Sequence, residues 1–292
     1  MAFPPSAGFT WISKTHNDTY PTITAAKCKQ TGRAVFVTGA SKGIGRATAI
    51  AFAQAGASSI ALGARSSLDA VETDVLDAAK SAGYLPPQVL KLALDVADEG
   101  SVAAAAVQVE RTFGRLDILI NNAGRVEKWL LLAETDPKSW WATWEVNLKG
   151  TYLMTRAMLP LLLRGGEKTI VNMNSIGAHL TRPGASAYQT GKLAMLRLTQ
   201  FTCVEYAAQG VLAFAIHPGA VDTELASNLP EDTKAKLVDS PELCADTIVW
   251  LTQERQYWLA GRYISANWDM AELMARKEEI LEGDKLKVKL VL

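Results

Sequence analysis

The sequence predicts an α/β fold in which a doubly wound parallel β-sheet of about seven strands is flanked by helices in a single domain. Short, nearly continuous apolar runs recur along the chain, as is typical of strands covered on both faces. Segments with helical character separate these runs, and this alternation favours parallel strands joined by right-handed crossovers. No linker, repeat or low-complexity tract interrupts the 292 residues.

The chain is predicted to begin with an N-terminal arm, residues 1–32. Its prolines and aromatic residues favour an irregular but packed segment over a flexible tail. Residues 33–292 are predicted to form the single domain, which includes a C-terminal tail from about 269 to 292. The residues that distinguish the arm are Phe3, Pro4, Pro5, Phe9, Trp11, Tyr20 and Pro21.

The elements of the domain follow from the apolar runs. The predicted strands are 34–40, 59–64, 88–96, 116–123, 168–175, 211–218 and 262–267. The predicted helical segments are 49–57, 67–83, 98–113, 137–164 and 186–209.

Two aspartates mark predicted helix starts. Asp136 precedes Pro137, which suits an N-cap followed by proline at the first helical position. Asp269 is followed three residues later by Glu272, as in a capping box. The chain ends in KLKVKLVL, residues 285–292, whose alternation predicts a half-buried extended piece or an edge pairing.

Composition excludes several classes of protein. With 30 basic and 30 acidic side chains, the zero net charge gives no sign of nucleic-acid or anionic-membrane binding. The three cysteines and three histidines are dispersed, so we expect no disulfide framework, a reducing compartment and no metal site. Because the sequence has neither a signal-peptide pattern nor a long apolar run, we expect a cytoplasmic protein that does not contact membranes.

A glycine-rich turn follows the first predicted strand. Gly39, Gly43 and Gly45 lie in TGASKGIG, residues 38–45, directly before a predicted helix. Glycines permit a tight turn and close backbone approach, and a helix N-terminus offers N–H groups to a pyrophosphate. The spacing is GxxxGxG, which differs from the GxGxxG fingerprint, but the turn opens the first βαβ unit of a Rossmann-type sheet.

The end of the second strand indicates which dinucleotide is bound. An NAD-preferring site usually has an acidic residue there, but this chain reads Leu62, Gly63, Ala64, Arg65, with no acid before Asp69. Arg65 with Lys42 can clamp a 2′-phosphate. NADP(H) is therefore favoured, and NAD(H) stays open. The alternative is that both are ordinary solvated surface cations.

Tyr188 and Lys192 are candidate proton-transfer residues. If residues from Ser186 onward are helical, the two are four positions apart and share a face. A nearby ammonium favours phenolate, so we expect Lys192 to lower the Tyr188 pKa and make the phenol a general acid at neutral pH. Taken alone, YxxxK is also common as a surface pair.

These motifs together resemble the short-chain dehydrogenase/reductase (SDR) family. The resemblance rests on TGASKGIG (38–45), NNAG (121–124), Ser175 and YQTGK (188–192), with Ser175 thirteen residues before Tyr188. It covers roughly residues 33–267. The N-terminal arm and the NWDMAEL segment (267–273) are similar to certain fungal members, many of which act in secondary metabolism.

The resemblance implies roles for individual residues. Ser175 would bind the substrate oxygen, Tyr188 would transfer the proton, Lys192 would bind the nicotinamide ribose, and Asn147 would hold a proton-relay water. The adenine would contact Asp95, the nicotinamide carboxamide would contact the segment 217–223, and Asn121 would steady the sheet. The full set of implied cofactor-binding residues is Gly39, Ser41, Lys42, Gly43, Ile44, Gly45, Arg65, Asp95, Val96, Asn122, Ala123, Gly124, Tyr188, Lys192, Pro218, Gly219, Val221 and Thr223.

The expected activity is NADP(H)-dependent interconversion of a ketone or aldehyde and an alcohol. Two alternatives stay open: a non-redox enzyme on the same fold, such as an isomerase, dehydratase or cyclase, and a protein that senses NADP(H). The resemblance places the substrate pocket near 125–132, 176–183 and 221–238. These segments lack a clear ionic anchor, which favours a neutral, mostly apolar carbonyl compound. The family resemblance also implies a homodimer or homotetramer formed through the helices at 137–164 and 186–209.

Overall fold

A seven-stranded parallel sheet organises the computed structural model, which describes residue 4 and residues 7–290. The strand order is β3-β2-β1-β4-β5-β6-β7, and every neighbouring pair is parallel. The strands are β1 (Ala34–Thr38), β2 (Ser59–Ala64), β3 (Gln88–Ala93), β4 (Ile118–Asn121), β5 (Thr169–Met173), β6 (Leu212–His217) and β7 (Tyr263–Ser265).

Helices connect the strands, as the alternating pattern predicts. The α-helices are α1 (Gly43–Gln54), α2 (Asp69–Ser81), α3 (Glu99–Phe113), α4 (Pro137–Trp144), α5 (Gly150–Arg164), α6 (Ser186–Tyr206), α7 (Glu231–Lys234), α8 (Pro241–Thr252), α9 (Met270–Ala275) and α10 (Lys277–Glu282). A π-helical turn, Glu145–Lys149, joins α4 to α5. The predicted α/β fold is confirmed.

Alternate residues of each strand face opposite sides of the sheet, and both sides are covered. Val35 and Val37 of β1 belong to one buried cluster, with residues of α1, α2 and α8. Phe36 belongs to a second cluster on the other face, with residues of α3 and α5. Because both faces are buried, the strands read as continuous apolar runs instead of an alternating pattern.

Both predicted aspartate caps are present. The Asp136 carboxylate accepts hydrogen bonds from the backbone N–H groups of Lys138 and Ser139 at the start of α4. Asp269 accepts from the N–H of Glu272 at the start of α9. Glu272 does not complete a capping box, because its carboxylate accepts from the backbone of Ser13 and Lys14 in the arm.

The described part of the arm is largely irregular and includes a 3-10 turn, Ala25–Lys27; its Ile12 and Ile23 side chains are fully buried. Phe3 and Pro5 lie outside the described residues, as do Val291 and Leu292 of the tail. The rest of the tail forms no strand. One backbone hydrogen bond, from Tyr263 N–H to the Leu286 carbonyl, ties it to the edge of β7.

The strand order changes direction at β1, which has β2 on one side and β4 on the other. The crossovers from these strands leave in opposite directions, so a crevice opens beyond their carboxyl ends. The predicted glycine turn and the NNAG segment both lie there, because β1 ends at Thr38 and β4 ends at Asn121.

Candidate active site

The turn between β1 and α1 depends on glycine at three positions. Gly39 and Gly43 have φ of +65° and +54°, in the left-handed region that side chains disfavour. A Cβ at Gly45 would lie 2.2 Å from the Gly39 carbonyl oxygen. Lys42, the N-cap residue of α1, provides no side-chain cap, so the first N–H groups of this helix are available to an anionic ligand.

This turn forms one wall of a cleft of about 610 Å³. The cleft contains sixteen of the eighteen residues predicted to bind the cofactor; Gly219 and Val221 line the adjoining cavity instead. The predicted residues on the cleft wall are Gly39, Ser41, Lys42, Gly43, Ile44, Gly45, Arg65, Asp95, Val96, Asn122, Ala123, Gly124, Tyr188, Lys192, Pro218 and Thr223. A glycine turn, an uncapped helix N-terminus and this volume fit a dinucleotide.

Both predicted phosphate-binding cations lie on the cleft wall. The Arg65 side chain is 76% exposed, and its Nη1 atom lies 4.0 Å from Asp95 Oδ2. The Lys42 side chain is 61% exposed and forms an ion pair with Glu224. Each cation therefore has an acidic neighbour within the cleft and remains accessible to a ligand.

Tyr188 and Lys192 lie on one face of α6, as their spacing predicts. Lys192 Nζ lies 5.6 Å from the centroid of the Tyr188 ring and donates a 2.6 Å hydrogen bond to the Met173 carbonyl. The carbonyl belongs to the last residue of β5, so the lysine anchors α6 to the sheet beneath the tyrosine.

The direction of the Tyr188 pKa differs from the sequence-based expectation. Burial raises the pKa of Tyr188; the hydrogen bond with Ser175 lowers it, and the charge of Glu127 raises it. Burial also lowers the pKa of Lys192 to about 7. The expected lowering of the Tyr188 pKa by Lys192 is absent because both side chains are buried. Burial removes water from the charged forms, so it disfavours the phenolate and the ammonium alike.

Ser175 completes this group of side chains at the carboxyl end of β5. Its hydroxyl hydrogen-bonds to Tyr188 and accepts from the Gly177 N–H at 3.0 Å. The neighbouring Asn174 accepts from the Ser175 N–H and donates to the Lys192 carbonyl. Asn174 thus joins the segments that carry Ser175 and Lys192.

Asn147 lies in the π-helical turn and is fully buried. Its side chain pairs with the Arg125 backbone: Oδ1 accepts from the N–H and Nδ2 donates to the carbonyl, both at 2.8 Å. Its own carbonyl accepts from the Thr151 hydroxyl. The side chain therefore fixes the segment after NNAG, and the proton-relay role of Asn147 stays a prediction.

A second cavity, of about 200 Å³, adjoins the cleft. All three segments predicted to form the substrate pocket contribute to it: Val126 and Trp129, then Leu180 and Arg182, then a stretch that includes Leu225. Its lining is mainly apolar. Tyr188 lines both the cavity and the cleft, whereas Ser175 lines only the cavity.

His217 also lines the smaller cavity. Burial lowers its pKa to about 3, with a further contribution from the charge of His179, so the imidazole is neutral at physiological pH. Trp140, Trp141 and Trp144 pack against one another, with ring centroids 5.0–5.9 Å apart. These rings therefore have a packing role at α4.

Sequence reasoning missed the roles of two residues of the site. Asn174 immediately precedes Ser175, and a polar residue at the carboxyl end of a buried strand is a signal that would have identified it. Glu127 is 4% exposed, and Oε1 accepts from the Tyr188 backbone N–H at 3.1 Å. No local pattern indicates this contact, because the two residues are 61 positions apart.

The family model for short chain dehydrogenases matches residues 33–234. Short chain dehydrogenase mpl6 of Monascus purpureus is 92% identical over 292 residues, covering 100% of both chains. Short chain dehydrogenase pigC of Monascus ruber is 49% identical over 282 residues, covering 96% of this chain and 93% of that protein.

A crystal structure of a short-chain type dehydrogenase/reductase from Mycobacterium marinum is similar in fold, with a TM-score of 0.72 at 26% identity. The match covers 84% of this chain and 97% of that chain. The segment matched by the family model contains both the glycine turn and the Ser175, Tyr188 and Lys192 group. The predicted resemblance is thereby confirmed: this chain belongs to the short chain dehydrogenase family.

Proposed function

We propose that the chain is an NADP(H)-dependent oxidoreductase that interconverts a ketone or aldehyde and an alcohol, with Tyr188 as general acid and base. The observation that carries the proposal is the position of Tyr188, which lines both the dinucleotide-sized cleft and the smaller cavity. A proton donor at this junction is placed to act where cofactor and substrate meet.

In this proposal the glycine turn and the N-terminus of α1 bind the pyrophosphate, and Arg65 and Lys42 bind the 2′-phosphate. Lys192 binds the nicotinamide ribose, Asp95 the adenine, and Pro218 to Thr223 the carboxamide. When bound, the cofactor supplies or accepts the hydride.

The side chains around the reacting oxygen have separate tasks. Ser175 holds the substrate oxygen by a hydrogen bond, and the Tyr188 hydroxyl donates a proton to it during reduction. Lys192, whose pKa burial lowers to about 7, can exchange a proton at neutral pH. Asn147 is proposed to contribute a water to this exchange. The mainly apolar cavity favours a neutral carbonyl substrate.

The experiment that tests the function is turnover of NADPH with a panel of neutral ketones and aldehydes, followed at the absorbance band of the reduced nicotinamide. The proposal expects absorbance to fall in step with alcohol formation. An isomerase, dehydratase or cyclase would transform its substrate with no net absorbance change. A sensor would bind NADPH and leave every substrate unchanged.

Replacing Arg65 with alanine is expected to raise KM for NADPH about tenfold and to leave KM for NADH nearly unchanged. A charge-assisted contact with the 2′-phosphate is lost, and the high solvent exposure of Arg65 limits what that contact contributes. Initial rates with both cofactors measure the change. Arg111→Ala, on the exposed surface of α3, is the matched control. Equal effects of R65A on both cofactors would contradict a 2′-phosphate contact.

We also propose a homodimer or homotetramer. Tyr152 on α5 and Leu193, Phe201 and Val204 on α6 expose 41–78% of their surface, so apolar side chains of both helices are available to a partner subunit. Sedimentation of the free protein as a monomer would contradict this assembly.

The proposed cellular setting is the cytoplasm, with a role in secondary metabolism. The three buried free thiols support the cytoplasm, because they fit a reducing compartment. The likeness of the arm to fungal family members supports the role in secondary metabolism. Among the described residues, no helix is both long and apolar enough to span a membrane. We retain the division into an arm, 1–32, and one domain, 33–292.

A further inference from the structure

Glu127 is a buried acid that the proposed chemistry does not use. It lies on the segment after β4 and is 4% exposed. Oε1 accepts a hydrogen bond from the Tyr188 backbone N–H at 3.1 Å, whereas Oε2 is buried with no hydrogen-bond partner among the described residues. Burying an incompletely paired carboxylate costs free energy, so a functional reason for its presence is expected.

The contact lies at the first turn of α6. Tyr188 is the third residue of this helix, and Ala185, the residue before the helix, provides no side-chain cap. The carboxylate of Glu127 therefore satisfies an N–H group that the helix leaves free, and it lies at the positive end of the helix dipole. The backbone position of Tyr188 thus depends on a side chain from another segment.

That segment also lines the substrate cavity. Val126 and Trp129, on either side of Glu127, are both part of the cavity wall. The hydrogen bond from Tyr188 to Glu127 therefore connects the wall of the cavity to the residue proposed to transfer the proton.

Glu127 also contributes to the charge around the Tyr188 phenol. Its negative charge raises the pKa of Tyr188, in the same direction as burial and against the Ser175 hydrogen bond. Lys192 faces the ring from α6, with its Nζ on the Met173 carbonyl. The other titratable or charged side chains that line the cavity are His217, whose pKa burial lowers to about 3, Arg182 and Lys236.

We propose that Glu127 is a positioning residue: its carboxylate, 3.1 Å from the Tyr188 backbone nitrogen, holds the backbone of Tyr188 and places negative charge beside this residue, which favours proton donation to a carbonyl over proton removal from an alcohol. The inference rests on the proposed function. Reduction requires the phenol and oxidation requires the phenolate, so a negative neighbour extends the pH range of reduction upward.

Two substitutions separate the hydrogen bond from the charge. Glu127→Gln keeps an acceptor oxygen for the Tyr188 N–H but removes the charge. In the pH profile of kcat/KM for carbonyl reduction by E127Q, the fall in rate at high pH is expected to begin at lower pH than in the wild type. At the pH where the wild type retains half its plateau rate, E127Q should be slower by roughly threefold or more. The rising limb of alcohol oxidation should move in the same direction.

Glu127→Ala removes both the acceptor and the charge. The high-pH limb of its reduction profile should move as in E127Q. Its plateau kcat should also fall about tenfold, because the first turn of α6 loses the Glu127 carboxylate as a hydrogen-bond partner. NADPH affinity should stay near the wild-type value in both variants. Asp98→Asn is the matched control: Asp98 caps α3 through the Ser101 N–H and lines neither the cavity nor the cleft, so the pH profile of D98N should not move.

A pH profile of E127Q that coincides with the wild type would overturn the proposal, as would a shift of equal size in D98N. The ionisation of Tyr188 can also be read without turnover, from tyrosinate ultraviolet absorbance of each protein minus that of its Y188F counterpart. If no carbonyl is reduced but E127Q moves the midpoint of the Tyr188 titration to lower pH, the proposed function fails and the charge effect of Glu127 stands. If carbonyls are reduced and the titration does not move, the inference about Glu127 fails alone.

Discussion

Tyr188→Phe is expected to reduce kcat by roughly a thousandfold, because it removes the only proposed proton donor at the junction of cleft and cavity. The loss should be seen in kcat and kcat/KM alike, since the interaction is made in the transition state. Phenylalanine fills nearly the same volume, and the glycine turn is untouched. NADPH affinity, measured by fluorescence titration, should therefore stay within about twofold of the wild type.

Tyr257→Phe is the control for removal of a tyrosine hydroxyl. This residue is 62% exposed, and its hydroxyl accepts a hydrogen bond from Arg255. Its kinetics should match the wild type. If Y188F keeps more than about a tenth of the wild-type kcat, another group delivers the proton and the assignment of Tyr188 is wrong.

The strands could be predicted from sequence because burial on both faces leaves a local mark. Residues 59–64 form β2 as predicted. The predicted strand 88–96 instead ends at Ala93, since Asp95 and Val96 turn into the cleft. Apolar content continues past the point where pairing stops, so it does not mark the carboxyl end of a strand.

The site could be predicted only where its residues are near in sequence or follow a known pattern. Tyr188 and Lys192 share a helix face, and the glycines occupy one turn. The contact from Glu127 to Tyr188 is created by folding, and so is the burial that raises the Tyr188 pKa. A pairwise charge estimate misses the second effect because desolvation depends on neighbours from several segments.

Gly45→Ala is expected to weaken NADPH binding by roughly tenfold or more. The new Cβ would lie 2.2 Å from the Gly39 carbonyl oxygen and 2.5 Å from Asn122 Nδ2. Asn122 is itself held in place, since Nδ2 donates to the Thr38 carbonyl at 2.8 Å. Backbone atoms on one side and a bonded amide on the other leave the methyl group no space, so the turn must open and the cleft wall must move.

The effect should be specific to this turn. Gly166→Ala is the matched control, because its Cβ would lie 3.7 Å from Asp117 Oδ1, an ordinary contact, at an exposed position outside the cleft. G166A should bind NADPH as the wild type does, whereas G45A should also melt several degrees lower. NADPH titration and thermal unfolding of both proteins measure these two effects. Wild-type NADPH affinity in G45A would mean that the cofactor does not depend on the close approach of Gly45 to Gly39, and the glycine turn would lose its proposed role.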